Sequence, residues 1–276
     1  MEYSKLTIKD EAFSGEEFSL IKDKYGVLKT SPQPEDIAPY YNFSTYISHQ
    51  SEKRTVITWI YNTVKKLMLR SKLRLLLGFK KDIHKVLDVG CGTGDFIEFL
   101  ENRNIKAEGI EPTPIAREKA RKKKLHVHHS IDECKDTFDA ITLFHVLEHV
   151  ENYDETIGQL IAKLNPKGLM LIAVPNHKSY DAKHYKEKWA AWDVPRHIWH
   201  FNKSNIIDLG RRHNLELIKI NGMPWDAFYI SMISEAYKEN LKLKGLFIGL
   251  ISNIYALKSK EYSSNLFLFQ KRDLKT

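Results

Sequence analysis

Three glycines at alternate positions follow an apolar run that also carries an acid. The run VLDV contains Asp88, and Gly90, Gly92 and Gly94 come directly after it. Glycine-rich turns after a strand let the backbone approach a ligand closely, so this turn suits a phosphate, a dinucleotide or a sulfonium nucleoside. The side chains around the turn narrow this choice.

Charge and spacing argue against a phosphate ligand. A P-loop ends in Gly-Lys-Ser/Thr, whereas Gly94 is followed by Asp95. The dinucleotide fingerprint places its third glycine three residues after the second, and here the interval is two. Asp88 and Asp95 would repel a pyrophosphate, and they tolerate a ligand with an ammonium group better.

A further acid indicates a ribose. Glu111 ends the next predicted strand, 21 residues after Gly90. This is close to the interval of ~20 residues at which a carboxylate binds ribose hydroxyls. A ligand with a ribose, an amine or sulfonium and no phosphate fits S-adenosylmethionine.

The elements that must position these residues alternate along the chain. Strands are predicted at KVLDVG, KAEGIEP, HVHHS, FDAITLFHV, LMLIAVPN, LELIKI and NLFLFQKR, and helices at DFIEFLENR, PIAREKARKKK, YDETIGQLIAKL and 204–213. This alternation favours an α/β fold with a mostly parallel sheet. Upstream, the prolines of residues 1–50 predict an extended lead-in, and apolar spacing predicts an amphipathic helix over residues 52–77.

Four segments, in order, are similar to those of a known family. VLDVGCGTGDF, GIEP, FDAITLFHVLEHV and LNPKGLMLIAVPN resemble the class I S-adenosylmethionine-dependent methyltransferases over roughly residues 80–205. The nearest branch includes the ubiquinone-biosynthesis O-methyltransferases and related bacterial small-molecule enzymes. The resemblance implies an enzyme that uses S-adenosyl-L-methionine and releases S-adenosyl-L-homocysteine. It also implies a doubly wound, mostly parallel, seven-stranded sheet whose last strand is antiparallel.

The resemblance also sets the expected organisation of the chain. Residues 1–80 are expected to form a cap from the lead-in and the amphipathic helix. Residues 81–276 are expected to form the methyltransferase domain, with acceptor-side insertions at 177–203 and 223–260. The cofactor is expected at the carboxyl ends of the strands, as is general for open α/β sheets.

Carried over by position, the resemblance assigns a set of cofactor-binding residues. The glycine turn would line the methionine half, Glu111 would bind both ribose hydroxyls, and Asp132 would face the exocyclic amine of adenine. The full set is Asp88, Gly90, Cys91, Gly92, Gly94, Glu111, Pro112, Ile131, Asp132, Phe144 and His145.

The acceptor side needs groups that align the nucleophile, and a hydroxyl acceptor also benefits from a base. Histidine is the usual base near neutral pH, and the candidates are His145, His149 and His197. The candidate substrate-binding residues are Tyr46, His49, Trp192, Arg196 and Trp199. The alternative for the loop after the fifth strand is a packed aromatic segment with satisfied histidines. No metal site is expected, because His197 and His200 lack further ligands at metal spacing.

Composition limits the partners. The net charge of +8 permits anionic partners, but the basic residues are dispersed and resemble no RNA-binding module. The segment FHVLEHV also stands where DNA amino-methylating enzymes carry an Asn/Asp-Pro-Pro-aromatic turn, so no nucleic acid is expected. The two cysteines offer no disulfide framework, which favours a cytoplasmic location.

The sequence favours O-methylation of a small-molecule, sugar or lipid-linked acceptor by a monomer or homodimer. The competing hypotheses are a noncatalytic methyltransferase-like binding module and a nucleic-acid methyltransferase. The apolar run GLFIGLISNIYAL (residues 245–257) predicts a packed helix. Whether its region forms an acceptor cap, a dimer face or a peripheral lipid contact stays open at this point.

Overall fold

The computed structural model describes residues 6–41 and 56–273, with the backbone alone for residues 56–67. Within these residues the strands form one sheet of seven strands and one of four. The candidate residues Tyr46 and His49 lie outside the described residues. The larger sheet carries the glycine turn and therefore positions the candidate site.

The larger sheet is mostly parallel. Its strands are β4 (Lys85–Val89), β5 (Lys106–Ile110), β6 (Val127–His128), β7 (Phe138–Phe144), β8 (Leu164–Pro175), β10 (Leu215–Gly222) and β11 (Ser264–Lys271). They lie in the order β10-β11-β8-β7-β4-β5-β6. β11 is antiparallel to β8 and to β10, and the pairs from β8 to β6 are parallel. The predicted seven-stranded, doubly wound sheet is thus confirmed.

Helices cover both faces of this sheet. The described helices are α1 (Val56–Phe79), α2 (Asp95–Glu101), α3 (Pro114–Lys122), α4 (Tyr153–Ala162), α5 (Tyr180–Tyr185), α6 (Lys203–Arg212), α7 (Pro224–Tyr237) and α8 (Leu243–Ser259). Local sequence starts several of them. Asn152 caps α4 by accepting the N–H of Glu155, and Asn202 forms a reciprocal capping box with Asn205 at the start of α6. Such caps satisfy backbone donors that a helix leaves open at its first turn.

Successive residues of β4 supply two separate apolar clusters. Leu87 belongs to a buried cluster that also contains Ile157 of α4 and Leu209 of α6. Its neighbour Val86 belongs to a second cluster, with Leu76 of α1 and Ile97 of α2. This follows from the alternation of side chains along a strand, and it explains why the strands read as continuous apolar runs.

The N-terminal residues differ from the predicted extended lead-in. They form β1 (Thr7–Lys9), β2 (Glu17–Lys22) and β3 (Leu28–Ser31), and β3 pairs antiparallel with β9 (Trp199–His200). The alternation of buried Phe18 and Leu20 with exposed neighbours is the pattern of a strand with one covered face. This small sheet therefore includes a strand from the segment 177–203, which we call the acceptor loop.

Residues 223–260 form two packed helices. α7 and α8 are antiparallel, since Gly245 lies against Met232 and Gly249 against Phe228. The predicted helix over residues 245–257 thus lies within α8. Across residues 6–41 and 56–273, no helix combines the length and the apolar content needed to cross a bilayer.

Candidate active site

The glycine turn, residues 90–94, adopts a backbone that only glycine accommodates easily. Gly90, Gly92 and Gly94 have φ values of 65°, 56° and 78°, in the left-handed region. A Cβ atom at Gly90 would lie 2.4 Å from a methyl carbon of Val146, and one at Gly94 would lie 2.4 Å from Leu125. A Cβ atom at Gly92 would meet nothing within 4 Å. The middle of the turn therefore presents its backbone to open space, which suits a closely bound ligand.

Glu111 joins this turn to the end of β5. Its Oε2 accepts the backbone N–H of Gly92, and its Oε1 accepts that of Thr113, both at 2.8 Å. The side chain is buried, and the backbone of Gly90 donates to Ile110 O at 2.7 Å. A carboxylate has about four acceptor sites, so two remain for the hydroxyls of a ribose.

Asp88, at the end of β4, is a buried acid beside the turn. Thr142 donates its hydroxyl to Asp88 Oδ1 at 2.6 Å. Burial raises the pKa of Asp88 to about 6, although Lys72 and the Thr142 hydrogen bond act in the opposite direction. A buried carboxylate of this kind favours a cationic ligand, because such a ligand replaces the solvation that the carboxylate lacks.

Lys72 of α1 is a basic residue beside Asp88 that the sequence patterns did not indicate. Its Nζ lies 3.4 Å from the ring centroid of Phe144. Burial lowers its pKa, while Asp88 and Asp226 act in the opposite direction. Its spacing in the sequence could have indicated that Lys72 faces the protein, because it falls on the same helical face as the partly buried Leu69 and the buried Leu76.

The predicted adenine-side residues lie at the same edge of the sheet. Ile131 and Asp132 belong to a short turn after β6, in which Ile131 is partly buried and Asp132 exposed. Glu111 N donates to His128 O at 3.0 Å, which brings the ends of β5 and β6 together. Pro112 is exposed, and Cys91 is buried against Gly109.

His145 follows β7 and lies between two carboxylates. Its Nε2 is 3.1 Å from Asp226 Oδ2, and its Nδ1 is 3.5 Å from Glu148 Oε1. Burial alone would lower the pKa of His145, but the two carboxylates raise it to about 10. His145 is therefore an imidazolium at neutral pH, which makes it a poor proton acceptor in this state.

His149 differs from His145 because its pKa is lowered rather than raised. Its Nδ1 lies 2.9 Å from Arg196 O and 3.2 Å from the Tyr41 hydroxyl. A carbonyl only accepts, so Nδ1 carries the proton and Nε2 keeps its lone pair. Burial, with the neighbouring His197, lowers the pKa of His149 to about 4. His149 is thus neutral at physiological pH.

Glu148, His149 and His197 form one group. Each offers an atom of metal-ligand type, and these atoms lie within 4.8 Å of one another. The rings of His149 and His197 are 4.6 Å apart, and Nδ1 of His197 lies 2.9 Å from Ala191 O. His200, which was weighed with His197 as a metal pair and rejected, lies outside this group. It is buried, and its Nε2 lies 2.8 Å from the Thr30 hydroxyl.

The proposed substrate-binding residues of the acceptor loop are packed inside the protein. Arg196 is buried, bonds Asp193 through two of its nitrogens, and donates to Tyr40 O at 3.0 Å. Trp192 donates to Lys186 O at 2.7 Å. Trp199 donates its ring N–H to Val150 O at 2.9 Å. These contacts fit the packed-loop alternative better than an open pocket, because each polar group already has a partner.

Comparison with known proteins agrees with this architecture. The methyltransferase-domain family matches residues 62–220, which is more than half of the chain. The ubiquinone biosynthesis O-methyltransferase of Pelagibacter ubique is 30% identical over 179 residues, covering 59% of this chain and 72% of that protein. The mitochondrial ubiquinone biosynthesis O-methyltransferase of Schizosaccharomyces pombe is 29% identical over 101 residues, which cover 32% of this chain and only 37% of that protein.

A solved structure supports the fold. Coclaurine N-methyltransferase, bound to N-methylheliamine and SAH, superposes with a TM-score of 0.53 at 15% identity and covers 80% of this chain and 76% of its own. Identity this low bears on the fold alone. The family match and the O-methyltransferase relatives show that the chain belongs to the methyltransferase-domain family and is an S-adenosylmethionine-dependent methyltransferase.

Proposed function

We propose that this methyltransferase acts on a hydroxyl group of a small-molecule, sugar or lipid-linked acceptor, with His149 as the base. The O-methyltransferase relatives support oxygen as the target. The observation that carries the choice of base is the environment of His149, whose Nδ1 proton is held by Arg196 O.

The proposed cofactor contacts match each residue to a ligand group of complementary charge or polarity. The cofactor supplies an electrophilic methyl group on a positively charged sulfur, and its methionine end carries an ammonium group and a carboxylate. Asp88 would bind the ammonium group and Lys72 the carboxylate of that end. Glu111 would bind the ribose, and the open face of Gly92 would let the ligand approach the backbone. Ile131 and Asp132 would border the adenine.

The position of His149 fits a base. The segment from His145 to His149 reaches the glycine turn through Val146, whose methyl group packs on Gly90. His149 is neutral at pH 7, and the fixed proton on Nδ1 leaves Nε2 to take a proton from the acceptor. His145 would keep its positive charge, and that charge favours an acceptor oxygen that becomes anionic.

The nature of the acceptor is tested with [methyl-13C]-labelled cofactor. The protein is incubated with the water-soluble and the chloroform-soluble fractions of a cell extract, and labelled products are isolated. The carbon chemical shift of the transferred methyl group distinguishes oxygen from nitrogen and carbon. A methyl group on nitrogen or carbon contradicts the proposal, and bound cofactor without any product supports the noncatalytic alternative.

The role of His149 is tested by its replacement. His149→Asn should lower kcat by roughly 10²–10⁴-fold at saturating cofactor, the usual contribution of a general base. Wild-type kcat should stay level from pH 8 downward and fall only as the pH approaches about 4, where the ring becomes protonated. His84→Asn is the matched control, because His84 is exposed at the opposite end of β4. An unchanged kcat in His149→Asn removes this base from the mechanism.

A further inference from the structure

Helix α8 turns small residues toward the protein and several large apolar residues outward, which is the reverse of an ordinary surface helix. A helix on a water-facing protein normally turns its large apolar side chains inward. In α8 the buried residues are Gly245, Gly249, Ser252 and Ala256. The large apolar residues Leu246, Phe247, Leu250, Ile254 and Leu257 are exposed.

The small residues make a close contact between α8 and α7. A Cβ atom at Gly245 would lie 2.5 Å from Met232 Cα, and one at Gly249 would lie 2.8 Å from Phe228 Cα. Ser252 donates its hydroxyl to Asp181 at 2.7 Å, which fixes α8 against α5. Small residues at a four-residue spacing let two helix backbones approach closely. The orientation of α8 is therefore fixed by its packing.

The outward face of α8 is continuous. Its large apolar residues recur at intervals of one, three or four residues, so they share one side of the helix. Phe247 and Leu257 are each 64% exposed, near opposite ends of the helix. Trp225 of α7 is also more than half exposed. Exposed apolar patches of this extent mark interaction surfaces.

Basic residues stand at both ends of this face. Lys238, Lys242 and Lys244 are exposed around the α7–α8 turn, and Lys258 and Lys260 are exposed at the other end. Between residues 238 and 260, five lysines stand against one acid, Glu239. An apolar face with lysines at its borders complements an anionic lipid surface, where the phosphates meet the lysines.

The same charges disfavour a second copy of the chain as the occupant. In a symmetric pair the same patch meets itself. Because both ends of α8 are basic, lysines would face lysines whether the two helices ran parallel or antiparallel. An anionic bilayer meets no such repulsion.

Helix α7 connects α8 with the candidate active site. Asn253 of α8 donates its side-chain N–H to Pro224 O at 2.9 Å, at the first residue of α7. Asp226, in the first turn of α7, pairs with His145 at 3.1 Å. A surface bound at α8 would therefore lie next to a helix that contacts the site.

We propose that the outward face of α8 docks this methyltransferase on an anionic lipid bilayer, with the helix lying in the interface plane. The apolar side chains enter the boundary of the acyl chains, and the flanking lysines bind the headgroup phosphates. The docking does not depend on methyl transfer, and its test uses no acceptor.

The test is co-sedimentation of the full-length protein with vesicles. Wild type should bind vesicles of equimolar phosphatidylglycerol and phosphatidylcholine, bind pure phosphatidylcholine weakly, and lose binding as salt is raised. Leu250→Glu and Ile254→Glu should each weaken binding by about 10-fold or more, since each removes a large apolar side chain from the contact. Ile207→Glu is the matched control, an exposed isoleucine on α6.

A second pair of variants tests the charges without touching the apolar face. Lys242→Gln and Lys258→Gln should each weaken binding to the anionic vesicles by roughly 5-fold. Retained binding of adenosylhomocysteine shows that each variant is folded. Absence of vesicle binding by wild type, or equal binding by wild type and the two glutamate variants, overturns the proposal. A wild-type dimer that Ile254→Glu converts to monomer, without vesicle binding, assigns the face to a second copy.

Discussion

The backbone N–H of Gly92 donates to Oε2 of Glu111 across 2.8 Å, and this bond connects the glycine turn with the acid at the end of β5. The two residues come together because Val89 and Ile110 are register partners at the ends of parallel strands. The turn and the acid therefore act as one unit, and a change at either residue should affect the other.

Replacing Glu111 tests this unit. Glu111→Ala removes the acceptor of two backbone N–H groups and the proposed ribose ligand, so the affinity for adenosylhomocysteine should fall by roughly 10- to 100-fold. Isothermal titration calorimetry measures it. Glu118→Ala, at an exposed position on α3, should bind like wild type. Equal affinities of Glu111→Ala and wild type would show that Glu111 does not hold the cofactor.

Gly92→Ala separates backbone strain from loss of ligand space. Gly92 and Gly26 both have a left-handed φ, and a Cβ atom at either would meet nothing within 4 Å. Each alanine variant should therefore lose about 1–2 kcal/mol of unfolding free energy, measured with urea. Only Gly92→Ala should also weaken cofactor binding, because its Cβ enters the space assigned to the ligand. If Gly26→Ala weakens binding equally, strain alone explains the effect.

Asp88 should make the protein less stable as the pH rises. Its folded pKa of about 6 lies above the ordinary value, so the folded state favours the protonated carboxyl. Ionisation therefore costs stability between about pH 4 and about pH 6, on the order of 3 kcal/mol in total. Asp88→Asn should gain stability over wild type above about pH 6, and should lose cofactor affinity. The comparison is urea unfolding of both proteins at acidic and neutral pH. An equal stability difference at both pH values contradicts this titration.

Arg196 should act mainly on stability. Arg196→Ala removes a buried guanidinium that pairs with the partly buried Asp193 carboxylate and donates to Tyr40 O, so unfolding free energy should fall by about 3–5 kcal/mol. Arg211→Ala, which breaks an exposed pair with Asp208, should cost about 1 kcal/mol or less. Urea unfolding measures the free energy lost by each variant. A stable Arg196→Ala protein with a raised KM for the acceptor would instead assign Arg196 to substrate binding.

The sequence predicted the parallel sheet and the glycine turn because both depend on local patterns. Apolar runs mark the strands, and Glu111 follows from its distance to Gly90. Lys72 and Asp226 were missed because only the tertiary fold brings α1 and α7 to the end of β7. The three N-terminal strands were missed as well, although the alternation around Phe18 and Leu20 was present in the sequence.

In the acceptor loop, residue types alone were a poor guide to which side chains contact substrate. Residue types suggested that Arg196, Trp192 and Trp199 contact substrate, whereas their polar groups bond within the protein. The partner of Arg196 was visible three residues earlier, at Asp193. Burial of an arginine depends on packing from remote segments such as Tyr40, and sequence spacing does not report that packing.

The pairing of β3 with β9 links segments that lie far apart along the chain. Thr30 donates its hydroxyl to His197 O at 2.7 Å and accepts from His200, 170 residues away. During synthesis, β3 leaves the ribosome long before its partner, so one edge of the N-terminal sheet stays unpaired until residue 200 emerges. The acceptor loop and the N-terminal sheet consequently form one structural unit, and replacing the acceptor loop with that of a homologue should require replacing β3 as well.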